Sequence, residues 1–177
     1  MASDHRQHYV VAVRRHERVQ FLVWYSDEVD GVLTAADLPS SLLAFDSDAA
    51  ARAHGTAAAL AMRPDQSAYF DLDELGAWID APNPYRLRPD VLLNAWNLLG
   101  DVARSVGDEI AHARLLDRRG NRTYDELFRC CSIPALDLPI TDRPSPATCE
   151  AIAAILRHGL ACFDRALRVS PPATAPR

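Results

Sequence analysis

Two runs of β-branched and aromatic residues open the chain, HYVVAVRR at 8–15 and VQFLVWYS at 19–26, with only His16, Glu17 and Arg18 between them. Residues of this kind suit a pleated, half-buried surface, and a three-residue connection between two such runs predicts an antiparallel β-hairpin. The hairpin commits the start of the chain to sheet. Further along, Pro82 and Pro84 interrupt the pattern within 81–88. Strand and helix signals alternate before that segment, and almost only helix follows it. The fold class expected is α+β: a small, mainly antiparallel sheet carrying the N-terminal hairpin, packed against a helical C-terminal half.

Between these landmarks the residues suggest further elements. Asp30-Gly31 and Leu38-Pro39 are turn signals, and LLAFD at 42–46 is a candidate third strand. Asp46 or Ser47 can accept the free amides of a helix that starts near Asp48 and runs through alanine-rich sequence to 62, with Gly55 weakening its middle. A short strand is expected at 67–70, then a helix to 79 opened by Asp71 and Glu74 as a capping-box variant. Helices are predicted at 88–107, at 124–132 behind a Thr123–Glu126 capping box, and from Ser145-Pro146 to 169. Residues 118–122 (RRGNR) read as an exposed turn. Residues 1–169 are expected to form one domain, and the Pro-rich tail 170–177 to be disordered.

The last helix places Cys149, Ile152, Leu156, Leu160, Phe163 and Leu167 at three- and four-residue spacing, enough for one apolar face. Helix 88–107 has such a face in Leu92, Trp96, Leu99, Ala103 and Val106, and a second, polar stripe in Asn94, Asn97, Asp101 and Arg104. Leu93 and Leu98 flank that stripe, so it is expected to be partly buried. A buried polar group without a partner costs about 1–3 kcal/mol, which favours a structural hydrogen-bond network. The expected partners are Asp101 with Arg104 and the asparagines with the loop after Cys131. The alternative is a ligand site of a small enzyme or metal-dependent regulator around Asn94, Asn97, Asp101 and the Cys130 loop.

Charge is distributed unevenly along the chain. Residues 27–80 hold eleven carboxylates against Arg52 and Arg63, while the remainder carries about +4 of the overall −5. Such a segment repels phosphates and attracts a basic protein, so nucleic acid is not expected as a partner. No run of about 18 apolar residues and no secretory leader pattern is visible, so neither membrane nor export is expected and the cytoplasm is the expected compartment. Cys130, Cys131, Cys149 and Cys162 form no CxxC pair and read as reduced, packed thiols. His158 and Cys162 lie four residues apart but lack a second ligand pair, and the glycines form no phosphate-binding loop, so no metal or other cofactor is expected. The histidines fit neither HExxH nor a nucleophile–base arrangement, which directs attention to binding and away from catalysis.

The words LLNAWNLLGDVARSVG (92–107) and TYDELFRCCSIPAL (123–136), followed by a proline-containing loop and a final helix with GLACFDRAL (159–167), carry a resemblance. They resemble small bacterial immunity proteins encoded beside polymorphic or contact-dependent growth-inhibition toxins, where the matching words read roughly WNLFDDVARS and YDKLFWGNNLPA. The chain departs from that pattern at Arg129-Cys130-Cys131-Ser132. The resemblance implies an inhibitor that binds a cognate toxin C-terminal domain and occludes its active site. The charge pattern agrees with a basic toxin groove, as in a nuclease. Asp27, Glu28, Asp30 and Asp37, on a loop between strands, are the first candidates for contact, then Asp73 and Glu74, with Trp24, Tyr25 and Tyr69 as apolar anchors. Oligomeric state is left open by the residues.

Overall fold

In a computed structural model, which describes residues 6–131 and 143–168, β1 (Gln7–Arg15) pairs antiparallel with β2 (Arg18–Ser26) along its whole length. The connection is one residue shorter than expected, because Arg18 pairs with Arg15 and only His16 and Glu17 make the turn. Both have positive φ, 53° and 61°, the conformation that matches the right-handed twist of a hairpin. The sheet continues on both sides of the hairpin in the order β3-β2-β1-β4. β3 is only Gly31–Val32, antiparallel to β2, whereas β4 (Met62–Asp71) lies parallel to β1. The fold is α+β with a mainly antiparallel sheet.

The expected strand at 42–46 is reduced to single bridges, Thr34 with Leu42 and Phe21 with Phe45. Helix α1 (Asp48–Ala57) starts where expected, with the Ser47 side chain accepting from the Ala50 amide. It stops five residues before 62. Ala59 turns left-handed at φ 54°, Leu60 donates to Gly55 O and Ala59 to Thr56 O, the two bonds of a Schellman cap. Gly55 is buried against Met62, whose Cγ would stand 2.7 Å from an added Cβ, so this glycine serves close packing.

Two compact units divide the chain. The first, the described residues of 1–73, 104–107 and 164–177, contains the sheet and α1. Side chains alternate across the sheet, so Val10 and Val23 share the face on which they pack with Phe45 and Ala51, joined by Phe21, Leu33, Leu43 and Met62. On the opposite face Val11, Val13, Leu22, Val32 and Phe70 are buried.

The second unit, the described residues of 74–103 and 108–163, is helical. α2 (Leu72–Asp80) buries Leu75, Trp78 and Ile79, and Trp78 Nε1 donates to Asn83 O at 2.8 Å. α3 (Pro89–Ser105) is buried on most of its circumference, as its run of leucines requires. α4 (Glu109–Leu116) and α5 (Arg118–Arg129) are each opened by an aspartate: Asp108 accepts from Ala111 N and Asp117 from Gly120 N. Residues 118–122 therefore begin a helix where a turn was expected, with Asn121 and Arg122 exposed. Gly120 sits against the Leu115 carbonyl, 2.7 Å from where a Cβ would stand. Thr123, expected as a cap, is buried inside α5. α6 (Pro146–Arg168) buries Cys149, Ile152, Leu156, Leu160 and Phe163 as its spacing predicts. Gly159 lets it approach Leu99, whose Cβ would be 2.9 Å from an added methyl. No helix among the described residues is long and apolar enough to cross a membrane. The tail 170–177 lies outside the described residues.

Candidate functional site

Pairing of Tyr25 with Gly31 and Trp24 with Val32 leaves 27–30 as the tip of a tight turn. Its carboxylates organise it from within. Asp27 N donates to Asp30 Oδ1 at 3.3 Å, Glu28 N donates to Asp27 Oδ1 at 2.9 Å, and Arg6 donates to Asp27 Oδ2 at 3.2 Å. Two residues of α3 fasten the base: Arg104 Nη2 donates to the Asp30 carbonyl, and Val32 N donates to Ser105 Oγ at 2.9 Å. Gly31 has no room for a side chain beside the Tyr25 ring and Ser105. Glu28 and Val29 remain outermost, both exposed, on backbone held by their neighbours.

The expected single acidic loop is two tips. Residues 31–34 lie extended along β2 and then bridge Leu42, and the next turn is closed by Leu38 N donating to Ala35 O and Ser41 N to Leu38 O. At about 3.3 Å per extended residue, the two tips stand roughly 15 Å apart. Asp37 and Leu38 are exposed on the second. Neither Glu28 nor Asp37 makes an ion pair among the described residues.

Folding also neutralises part of the acidic segment. Asp27 meets Arg6, Asp48 meets Arg52, Asp71 meets Arg14, and Asp73 lies 3.8 Å from Arg14 and 3.5 Å from Arg15. Asp73, a docking candidate by sequence, has a structural position. Its two oxygens accept from the amides of His16 and Glu17 at 2.8 and 2.9 Å, filling the anion nest made by two successive left-handed residues. Burial raises its pKa, but those two amides and the Arg15 and Arg14 charges outweigh it and hold the carboxyl below the ordinary aspartate value. Arg15 makes two bonds to Asp164, 2.8 and 2.7 Å, and His16 Nε2 lies 3.3 Å from the same carboxylate. Glu74 is exposed at the next position.

The anchor candidates are separated by the sheet. Trp24 shares a face with Phe70, edge-on with centroids 6.0 Å apart, and is half-buried. Tyr69 is on the other face and 57% exposed. Tyr25, beneath the Arg6 guanidinium at 4.5 Å, helps to hold the first acidic tip.

The polar stripe of α3 runs from exposed to buried: Asn94 is exposed, Asn97 half-buried and Asp101 buried. Tyr124 donates to Asn97 Oδ1 at 3.1 Å and stands edge-on to Trp96, and burial raises its pKa. The loop expected to receive the asparagines, residues 132–142, lies outside the described residues. Cys130 and Cys131 donate to the Glu126 and Leu127 carbonyls. Burial pushes the Cys131 thiol up to about 11 and that of Cys149 in the same direction, which keeps both protonated at neutral pH. Among the described residues no group of three His, Cys, Asp or Glu is placed to hold a metal.

Sequence reasoning did not anticipate the clamp of Arg104 and Ser105 on the acidic turn or the nest filled by Asp73. Their partners are 56 to 74 residues away, and no local pattern encodes such contacts. Comparisons with protein-family models, with curated proteins and with solved structures found no match.

Proposed function

We propose that the chain is a cytoplasmic bacterial immunity protein that binds a cognate toxin domain and neutralises it by occluding a basic active site, with no turnover and no cofactor. The observation that carries this reading is the first acidic tip. Glu28 is exposed and, among the described residues, makes no ion pair, on a turn whose backbone is fixed by Arg6, Arg104, Ser105 and its own aspartates. A preorganised carboxylate loses little entropy on docking and attracts a phosphate-binding groove over several ångströms. Asp37 on the second tip extends the same field. The resemblance of 92–107 and 123–136 to immunity proteins supports the assignment. Co-expression with the toxic domain encoded directly upstream tests it. Growth rescue is expected, weakened by Glu28→Arg with Asp37→Arg; toxicity undiminished by the wild-type chain would overturn the proposal.

A further inference from the structure

One face of the sheet in the first unit is covered over only part of its length. Strand register sets two adjacent rows on that face, Phe21–Ala12–Tyr69 and Val19–Arg14–Asp71, next to the Val10 and Val23 positions where α1 packs. Phe21 and Ala12 are half-buried, Val19 is 46% exposed and Tyr69 57%. Scattered apolar residues on a surface need no explanation, but here four adjoin on three neighbouring strands. β4, which carries Tyr69, is the edge strand of the named four, so the patch runs to the border of the sheet.

The charges around the patch indicate its occupant. Arg14 donates to Asp71 at 3.1 Å and lies near Asp73, so it adds no free positive charge. Arg18 pairs with Arg15 and, by alternation, belongs to the opposite face. Among the described residues, the exposed group left at the border is Glu17, two residues before Val19, and it makes no ion pair there. Asp46, next to the Phe45 that bridges Phe21, belongs by the same alternation to the opposite face. An apolar patch with an unpaired carboxylate at its border complements an aliphatic or aromatic side chain flanked by arginine or lysine.

We propose that this open end of the sheet is the anchoring part of the docking surface, and that its occupant is the basic toxin domain; the inference rests on the immunity reading above. Interface energy concentrates in a few desolvated aromatic and aliphatic anchors, while border charges chiefly set encounter rates. Tyr69 and Val19 thus hold the complex, and Glu28 and Asp37 speed its formation.

The two roles separate in binding kinetics with the purified, catalytically inactivated toxin domain encoded upstream. Tyr69→Ala and Val19→Arg are expected to raise Kd about tenfold or more, mainly through faster dissociation, with thermal melts confirming that both fold. Glu28→Arg should act mainly on association, and Tyr85→Ala, an exposed tyrosine of the second unit, should change neither rate. Wild-type affinity in both sheet variants, alongside slowed association in Glu28→Arg, would overturn this surface and leave the immunity reading standing. Absence of any complex with the wild-type chain would overturn both. Sedimentation of the chain alone supplies a further check: a dimer that Tyr69→Ala dissociates would make a second copy the occupant and refute the proposal.

Discussion

Replacing Asp73 with alanine should loosen the hairpin turn, and the structure sets the size of the effect. His16 and Glu17 occupy the left-handed region without being glycine, at roughly 1–2 kcal/mol each. The Asp73 oxygens offset part of this through the two amide bonds at 2.8 and 2.9 Å. Bonds to a charged acceptor contribute about 1.5–3 kcal/mol each, but water can replace much of that at a turn where the carboxylate is 26% exposed. A net of about 1 kcal/mol per bond gives a loss of about 2 kcal/mol, a fall in Tm of about 4–8 °C for a chain of this size. Asp73→Asn, which keeps an acceptor but loses the charge, should cost less. Because the folded carboxyl titrates below its ordinary 3.8, its contribution is complete above that pH and is lost as pH falls through the lower folded value. Urea unfolding at pH 7 and in steps below pH 4 should show the two variants converging on wild type in acid. A stability within about 0.5 kcal/mol of wild type at pH 7, with the same acid slope, would refute the claim that Asp73 fixes the turn.

Three further outcomes follow from named contacts. Glu17→Gly removes one left-handed penalty and should stabilise the chain by about 1 kcal/mol in urea unfolding. Gly31→Ala forces a methyl into the Tyr25 ring and Ser105 and should destabilise by about 1–3 kcal/mol, measured by thermal melt, because the turn base must shift. Alkylation at pH 7.5 followed by mass spectrometry should modify Cys130, which is half-buried, well before the buried Cys131, Cys149 and Cys162, which should react only on unfolding.

The hairpin was legible because alternating β-branched residues and a short polar connection act locally. The heptad-like spacing from Cys149 to Phe163 was legible for the same reason. Three features failed for reasons that are also physical. The end of α1 depends on Ala59 adopting a conformation usually marked by glycine, so the alanine run seemed to continue. Asp108 and Asp117 cap α4 and α5, yet the second precedes an arginine-rich stretch whose polarity suggested a turn. The parallel pairing of β4 with β1 joins residues more than fifty apart, and nothing in either strand announces it.

The same division holds for the candidate site. Glu28, Asp37 and Tyr69 were visible as exposed candidates from sequence, whereas the split of the acidic segment into two tips required the pairing of Gly31 and Val32 with β2. Asp27, Asp30 and Asp73 looked equivalent to their neighbours by composition. Space distinguishes them, because Arg6, the turn amides and the hairpin amides use their oxygens.

The proposed stoichiometric neutralisation is tested most directly by titrating the purified chain into an activity assay of a toxin domain encoded upstream of it, which the proposal requires. Activity falling in a straight line to zero at one molar equivalent, with association slowed by salt, is the predicted result. Full activity at excess chain would contradict the account, and inactivation well below one equivalent would show a catalyst in place of a binding protein.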